Sequence, residues 1–121
     1  MSPLAGAIYD LLRARPGMDD PRITYAELAR ALRECGEEFD NITHRSGQLY
    51  TALGEVSREC DRLNLPCLAA LVVRADSRRP GDAYYAGMSP ALRFRGEQIA
   101  RWRRELEAVK AARYPRRAAK G

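Results

Sequence analysis

The order of helix, short helix, long helix, apolar strand and return strand predicts an α+β winged helix-turn-helix, with three N-terminal helices, a small β-hairpin wing and a C-terminal helix. Three observations predict it. Thr24 and Glu27 stand in capping-box spacing ahead of a second helix. A long apolar seam, Leu49, Leu53, Val56, Cys60 and Leu63, recurs at helical spacing. That seam stops at Leu65-Pro66, where proline cannot continue a helix, and Cys67-Leu-Ala-Ala-Leu-Val-Val73 follows as an apolar run of strand length.

The elements follow in chain order. Leu4, Ile8, Leu11 and Leu12 place one apolar stripe on a first helix, which Ser2 caps, Pro3 opens and Pro16-Gly17 ends. Met18 to Arg22 is a polar turn, and Ile23 is expected in a very short strand. The second helix buries Tyr25, Leu28 and Leu32 and stops near Cys35-Gly36. Phe39 and Ile42 anchor the loop that follows, and Asn41 or Thr43 is expected to cap the long helix from about residue 44. Beyond the apolar run, Arg74 to Asp82 is a charged turn ending in Pro80-Gly81, with the return strand expected over Ala83-Tyr-Tyr-Ala86. Ser89-Pro90 begins a linker, and from about Glu97 a last helix buries Ile99, Trp102, Leu106 and Val109, with Arg101, Arg103, Arg104 and Lys110 on its other faces. Residues 1–114 form one domain and 115–121 a disordered basic tail.

At 121 residues the chain sustains a single core without staples. No segment approaches the ~20 apolar residues that span a bilayer, and the start has no basic stretch leading an apolar one, so no signal peptide is expected. Cys35, Cys60 and Cys67 lack the regular spacing of a disulfide framework, so reduced thiols in a cytoplasmic protein are expected. The net charge of +5 is unevenly spread. Residues 1–40 hold 5 Arg and 8 acids, residues 41–80 hold 6 Arg and 4 acids, and residues 81–121 hold 10 Lys or Arg and 4 acids. The second half is therefore where a polyanion is drawn. The plainer reading of the same charge is a solubilising surface with a basic tail.

In a helix-turn-helix the second helix enters the major groove through its leading turns. His44, Arg45, Gln48 and Thr51 hold the outer positions there. Arg pairs with guanine and Gln with adenine edges. Arg74, Arg78 and Arg79 form the tip of the expected wing and suit backbone phosphates beside the reader. Glu55 and Glu59 lie on or near the same helix face and repel phosphate, which confines contact to its first turns. The expected role is non-catalytic binding of duplex DNA, as a small regulator or a phage- or defence-related accessory. The alternative is a protein-binding winged helix, such as an inhibitor or adaptor of a defence system, with Tyr9, Tyr50, Tyr84, Tyr85 or the Trp102 helix as aromatic anchors.

No catalytic, cofactor or metal site is expected. Cys35, His44, Cys60 and Cys67 have the donor chemistry of zinc but no close Cys pair. His44 is the sole histidine, and nothing in the sequence sets Ser46 or Ser57 beside it with an orienting acid. Asp76, Asp82 and Glu97 lack the paired spacing of nuclease carboxylates, and Arg78-Arg-Pro-Gly-Asp82 has too few glycines for a phosphate loop.

Two resemblances rest on these residues. Thr24-Tyr-Ala-Glu-Leu-Ala29, Arg45-Ser-Gly-Gln-Leu-Tyr-Thr-Ala-Leu-Gly54, Leu65-Pro-Cys67 ahead of Val72-Val73, and Tyr84-Tyr-Ala-Gly87 resemble the winged-helix DNA-binding domain of O6-alkylguanine alkyltransferases and alkyltransferase-like proteins, loosely over about residues 8–110. The resemblance implies that fold, a damage-binding role as a further alternative, and a base-flipping role for Arg45. The family's reactive cysteine is followed by His and Arg, whereas Leu68 and Ala69 follow Cys67, so methyl transfer is not implied and Cys67 is expected in a buried strand. Leu53 to Cys60, Leu65 to Val73 and Arg79 to Asp82 also resemble uncharacterised bacterial and phage proteins associated with restriction or defence, a likeness that implies no particular activity.

Overall fold

A computed structural model describes residues 1–86 and 95–117. Helix α1 (Pro3–Arg13) begins where Ser2 Oγ accepts from the Ala5 N–H at 3.2 Å. It buries Ile8, Tyr9 and Leu12, with Leu4 and Leu11 half-buried at the edge of the core. Strand β1 (Ile23–Thr24) leads directly into α2 (Tyr25–Cys35). The capping box is complete: the Glu27 N–H donates to Thr24 Oγ1 at 3.1 Å and the Thr24 N–H to Glu27 Oε1 at 3.0 Å. A short 3₁₀ turn, Glu37–Phe39, follows, and Phe39 and Ile42 are buried as anchors.

Helix α3 (Gly47–Arg62) starts three residues later than its polar face suggests. The Thr43 N–H donates to Ser46 Oγ at 2.9 Å, and the Arg45 N–H to Thr43 Oγ1 at 3.2 Å. These local bonds offer the backbone a turn in place of a helix. Ser46, not Asn41 or Thr43, is the cap residue, and His44 and Arg45 belong to the approach loop. The seam is otherwise as expected: Leu49, Leu53, Val56 and Cys60 are buried, and Leu63 is half-buried. The helix ends on Asn64 at φ 56°, with the Leu65 N–H donating to Cys60 O and the Asn64 N–H to Asp61 O. That is a Schellman cap with asparagine in the left-handed position.

The expected strand over Cys67–Val73 is only partly strand. Leu68–Leu71 is a 3₁₀ turn, and β2 is Val72–Val73 alone. Every residue from Leu68 to Val73 is buried, and an apolar run buried all round carries no period that separates strand from turn. β2 pairs with β1 in parallel, Ile23 opposite Val72 and Thr24 opposite Val73. A parallel pair requires a crossover connection, which α2 and α3 supply.

The return strand is also corrected. Asp82–Ala86 is a short helix, α4, so no hairpin wing forms among the described residues. Arg74 to Gly81 is instead a loop closed on itself, with the Arg74 N–H donating to Arg79 O at 2.8 Å and the Arg78 N–H to Arg74 O at 3.0 Å. Gly87 and the linker start at Ser89-Pro90 lie outside the described residues. The α+β class therefore stands as helices around a two-stranded parallel sheet.

The last helix, α5 (Arg95–Ala111), holds the buried turn in place. Trp102 Nε1 donates to Ala70 O at 2.8 Å, Glu105 Oε1 accepts from the Cys67 N–H at 2.7 Å, and the Tyr114 hydroxyl donates to Pro66 O at 2.5 Å. Ile99 and Leu106 are half-buried beside the buried Trp102 and Val109. Residues 115–117, expected in the tail, lie against α1: Tyr9 donates to Pro115 O at 2.5 Å and Arg117 pairs with Asp10 at 2.6 Å. Residues 118–121 lie outside the described residues.

Trp102→Phe keeps most of the apolar contact but leaves the buried Ala70 carbonyl without its donor, and is expected to cost about 1–3 kcal/mol. Thr24→Ala removes one half of the capping box and is expected to cost about 1 kcal/mol. Urea denaturation checks both: the midpoint should fall while the slope is unchanged.

Candidate nucleic-acid interface

The approach to α3 is held from two sides. Arg33 Nη1 donates to Ile42 O at 2.6 Å, and the Tyr50 hydroxyl reaches back to His44 O at 2.9 Å. The loop so fixed presents His44 and Arg45, both exposed, and Gln48 and Thr51 follow on the outer face of the first α3 turns. Arg45 meets no carboxylate among the described residues. The acids that the sequence sets against phosphate are taken up elsewhere. Glu55 accepts from both the N–H and the hydroxyl of Ser2, at 3.0 and 2.8 Å, which turns it toward the start of α1. Glu59 is held by Arg62. In both cases hydrogen bonding to the charged form holds the carboxyl below its ordinary pKa.

The three arginines expected at a wing tip do not act as a set. Arg74 pairs with Asp76 at 3.0 Å. Arg78 stands at φ 56°, an unusual backbone for a residue other than Gly or Asn, and pairs with Asp20 at 3.0 Å. Asp20 also holds Arg22 at 2.9 Å, so one carboxylate serves two guanidiniums. Chiefly the Arg22 side-chain hydrogen bonds keep the Asp20 carboxyl well below the usual carboxylate range. Only Arg79 of the three is exposed without an ionic partner among the described residues. Arg78 therefore ties the loop to the α1–β1 connection and is not an open phosphate contact.

Beside the α3 approach lies a cleft of about 650 Å³, lined by Thr24, Tyr25 and Ala26 at the start of α2, His44 and Tyr50 of the α3 approach, and Arg74, Ala75, Asp76, Gly81 and Asp82 of the closed loop. The Tyr25 and Tyr50 rings stand 5.4 Å apart and tilted by 39°. Tyr25 is buried and accepts from the Gly81 N–H at 3.0 Å, and burial raises its pKa. Tyr50 is the more open of the two rings, at 36% exposure. The cleft thus brings His44 and Arg74 to one concavity together with Asp76 and Asp82, a grouping that residue spacing does not announce. The hint in the chain is that each tyrosine stands in the first turn of a helix.

Chemistry at the thiols and hydroxyls is constrained. Cys67 caps the buried 3₁₀ turn and is not in a strand; its Sγ donates to Ser57 Oγ at 3.1 Å, and burial pushes its pKa up. Cys60 is buried on the α3 seam, where desolvation pushes its thiol to about 11. Ser57 also donates to Leu53 O, and Ser46 is engaged with Thr43, so neither hydroxyl is set on His44. Among the described residues no group of three or more His, Cys, Asp or Glu gathers to hold a metal. No described helix is long and apolar enough to cross a membrane. The aromatic anchors that a protein interface needs are mostly inside: Tyr9, Tyr85 and Trp102 are buried and Tyr84 half-buried, which leaves Tyr50 as the exposed ring of the set.

With this geometry in hand, comparison with known proteins adds no relative: no protein-family profile, curated protein or solved structure matches the chain.

Two measurements check the site. Ellman's reagent should titrate Cys35 promptly and Cys60 and Cys67 only on unfolding; a second fast thiol contradicts the buried, hydrogen-bonded state of Cys67. Asp20 has a depressed folded-state pKa, so its stabilisation is complete above the unfolded carboxyl's value of about 3.9 and is lost as pH falls through the folded value. The stability difference between wild type and Asp20→Asn should therefore be constant at neutral pH and shrink below that range, as read by thermal melts across acid pH. A difference that persists unchanged into strong acid excludes the carboxylate as its cause.

Proposed function

We propose that this protein binds duplex DNA without catalysis, in the cytoplasm, through the approach loop and leading turns of α3. The observation that carries the reading is the exposed set Arg45, Gln48 and Thr51, held on a pinned loop and helix start with the neighbouring Glu55 and Glu59 drawn off by Ser2 and Arg62. Arg and Gln offer bidentate contacts to base edges, and Thr offers a hydroxyl and a methyl. α2 and α3 act as the two helices of a helix-turn-helix with a long connection, and the loop Arg74 to Gly81 takes the place of a wing. Arg79 and, if released from Asp76, Arg74 reach phosphate beside the reader.

A second reading is favoured by the cleft. Two tyrosine rings beside the reader edge offer stacking to one unstacked base, and Asp76, Asp82 and His44 offer polar contacts to its edge. This is the damage-binding alternative implied by the resemblance to alkyltransferase-like proteins, with Arg45 at the mouth of the duplex.

Mobility shift on random and selected duplexes separates these readings. Arg45→Ala and Gln48→Ala should relax sequence preference by about 1–3 kcal/mol at the positions they contact. Equal losses on every sequence deny them a reading role, and no binding at low salt ends the proposal. Tyr50→Ala removes both the ring and the hydroxyl that pins His44 O, so under the first reading it should weaken binding to undamaged and damaged duplexes alike. Under the second it should selectively weaken binding to duplexes carrying an alkylated or mismatched base.

A further inference from the structure

Ion pairing sorts the basic residues of this chain into two populations. Arg22, Arg62, Arg74, Arg78, Arg95, Lys110 and Arg117 each have a carboxylate partner. The others have none among the described residues, Arg45 and Arg79 included, and of these Arg101, Arg103 and Arg104 stand together, all exposed on α5. The acids of that helix do not neutralise them. Glu105 is turned inward to the Cys67 N–H and Glu107 is held by Lys110, which leaves Glu97 at the helix start.

This face is separate from the α3 edge. The segment Cys67–Leu71 lies between the two helices: Cys67 meets Ser57 of α3 through its thiol and Glu105 of α5 through its backbone, and Ala70 receives Trp102. No described residue of α5 lines the cleft. Trp102 and Val109 face inward, so Arg104 points outward and Arg101 and Arg103 flank it. The small exposed residues Ala100 and Ala108 leave the helix surface open to close approach.

We infer that the outer face of α5 is a second, sequence-independent contact for a nucleic-acid backbone, made by Arg101, Arg103 and Arg104. Three features select that partner. Guanidiniums bind phosphate oxygens in bidentate fashion. A protein partner needs apolar anchors at the centre of its footprint, and among the described residues the exposed large apolar side chains are Met1, Met18 and Tyr50, none of them on α5. An interfacial membrane helix inserts an apolar face, and here that face is committed to the core.

The inference rests on the DNA-binding reading, and one experiment tells their failures apart. Binding of the full chain to random duplex is measured over a salt series for wild type, the Arg101→Gln/Arg103→Gln/Arg104→Gln triple and the matching Arg→Lys triple. Each phosphate contact contributes about 0.9 to the slope of log K against log salt, so the Gln triple should lose about 2–3 of it. The Lys triple should retain that slope, and the preference set by Gln48 should survive in both. An unchanged slope in a folded Gln triple overturns this inference alone; absence of wild-type binding overturns both readings. Loss confined to phosphatidylcholine–phosphatidylserine vesicles or to polyglutamate, with duplex binding unaffected, also overturns it and assigns the face to that other polyanion.

Discussion

The structure depends on satisfying the backbone of an irregular segment at its centre. Leu68–Leu71 is buried between α1, α3 and α5, where water does not reach its polar groups. A buried N–H or C=O without a partner costs about as much as a lost hydrogen bond. A wider sheet would meet that demand with ladder bonds, but here β2 is two residues long. Three side chains from the C-terminal region do the work in its place: Trp102 to Ala70, Glu105 to Cys67 and Tyr114 to Pro66. Because these partners lie more than thirty residues away in sequence, α5 and the strand run form one unit. The chain after Ala111 belongs to the same unit through Tyr114, Pro115 and Arg117.

Electrostatics then decides which surfaces are free to act. The loop after β2 carries three arginines, yet Asp76 and Asp20 occupy Arg74 and Arg78, and these pairs shape the loop and dock it on the α1–β1 connection. Exposed pairs of this kind add little stability each, about 0–1 kcal/mol. Their larger effect is to withdraw positive potential from the loop expected to contact phosphate. Arg45 in the approach to α3, Arg79 and the three arginines of α5 are among the cations left without a carboxylate partner among the described residues. The cleft beside the α3 approach has a mixed lining, His44 and Arg74 with Asp76 and Asp82, and its aromatic walls give it a character different from either basic edge.

Much of the helical framework was legible because each signal was local. Ser2 and Thr24 cap the helices they precede, α3 stops ahead of Leu65-Pro66, and the Leu49–Cys60 seam faces inward. The readings that failed share a cause. The apolar run at 67–73 has no alternation, so period could not tell a buried turn from a strand. Tyr84-Tyr85 has strand propensity, but tertiary context overrides it within a short helix after Gly81. The start of α3 was placed early because hydroxyl bonds at Thr43 and Ser46 compete with the helix, and such competition depends on conformation as well as composition.

Local signals in the sequence set where α1 and α2 begin and where α3 ends, which residues of α1, α2 and α3 line the core, and where the excess of basic residues lies, since caps, periodicity and charge act over a few residues. Only the tertiary structure decided which strands pair, that Tyr25 and Tyr50 wall one cleft, that Glu55 turns to Ser2, and which arginines remain unpaired. The first three rest on contacts between groups far apart in the chain, and the last depends both on near neighbours such as Arg74 and Asp76 and on distant pairs such as Arg78 with Asp20 and Arg117 with Asp10, which residue spacing does not encode.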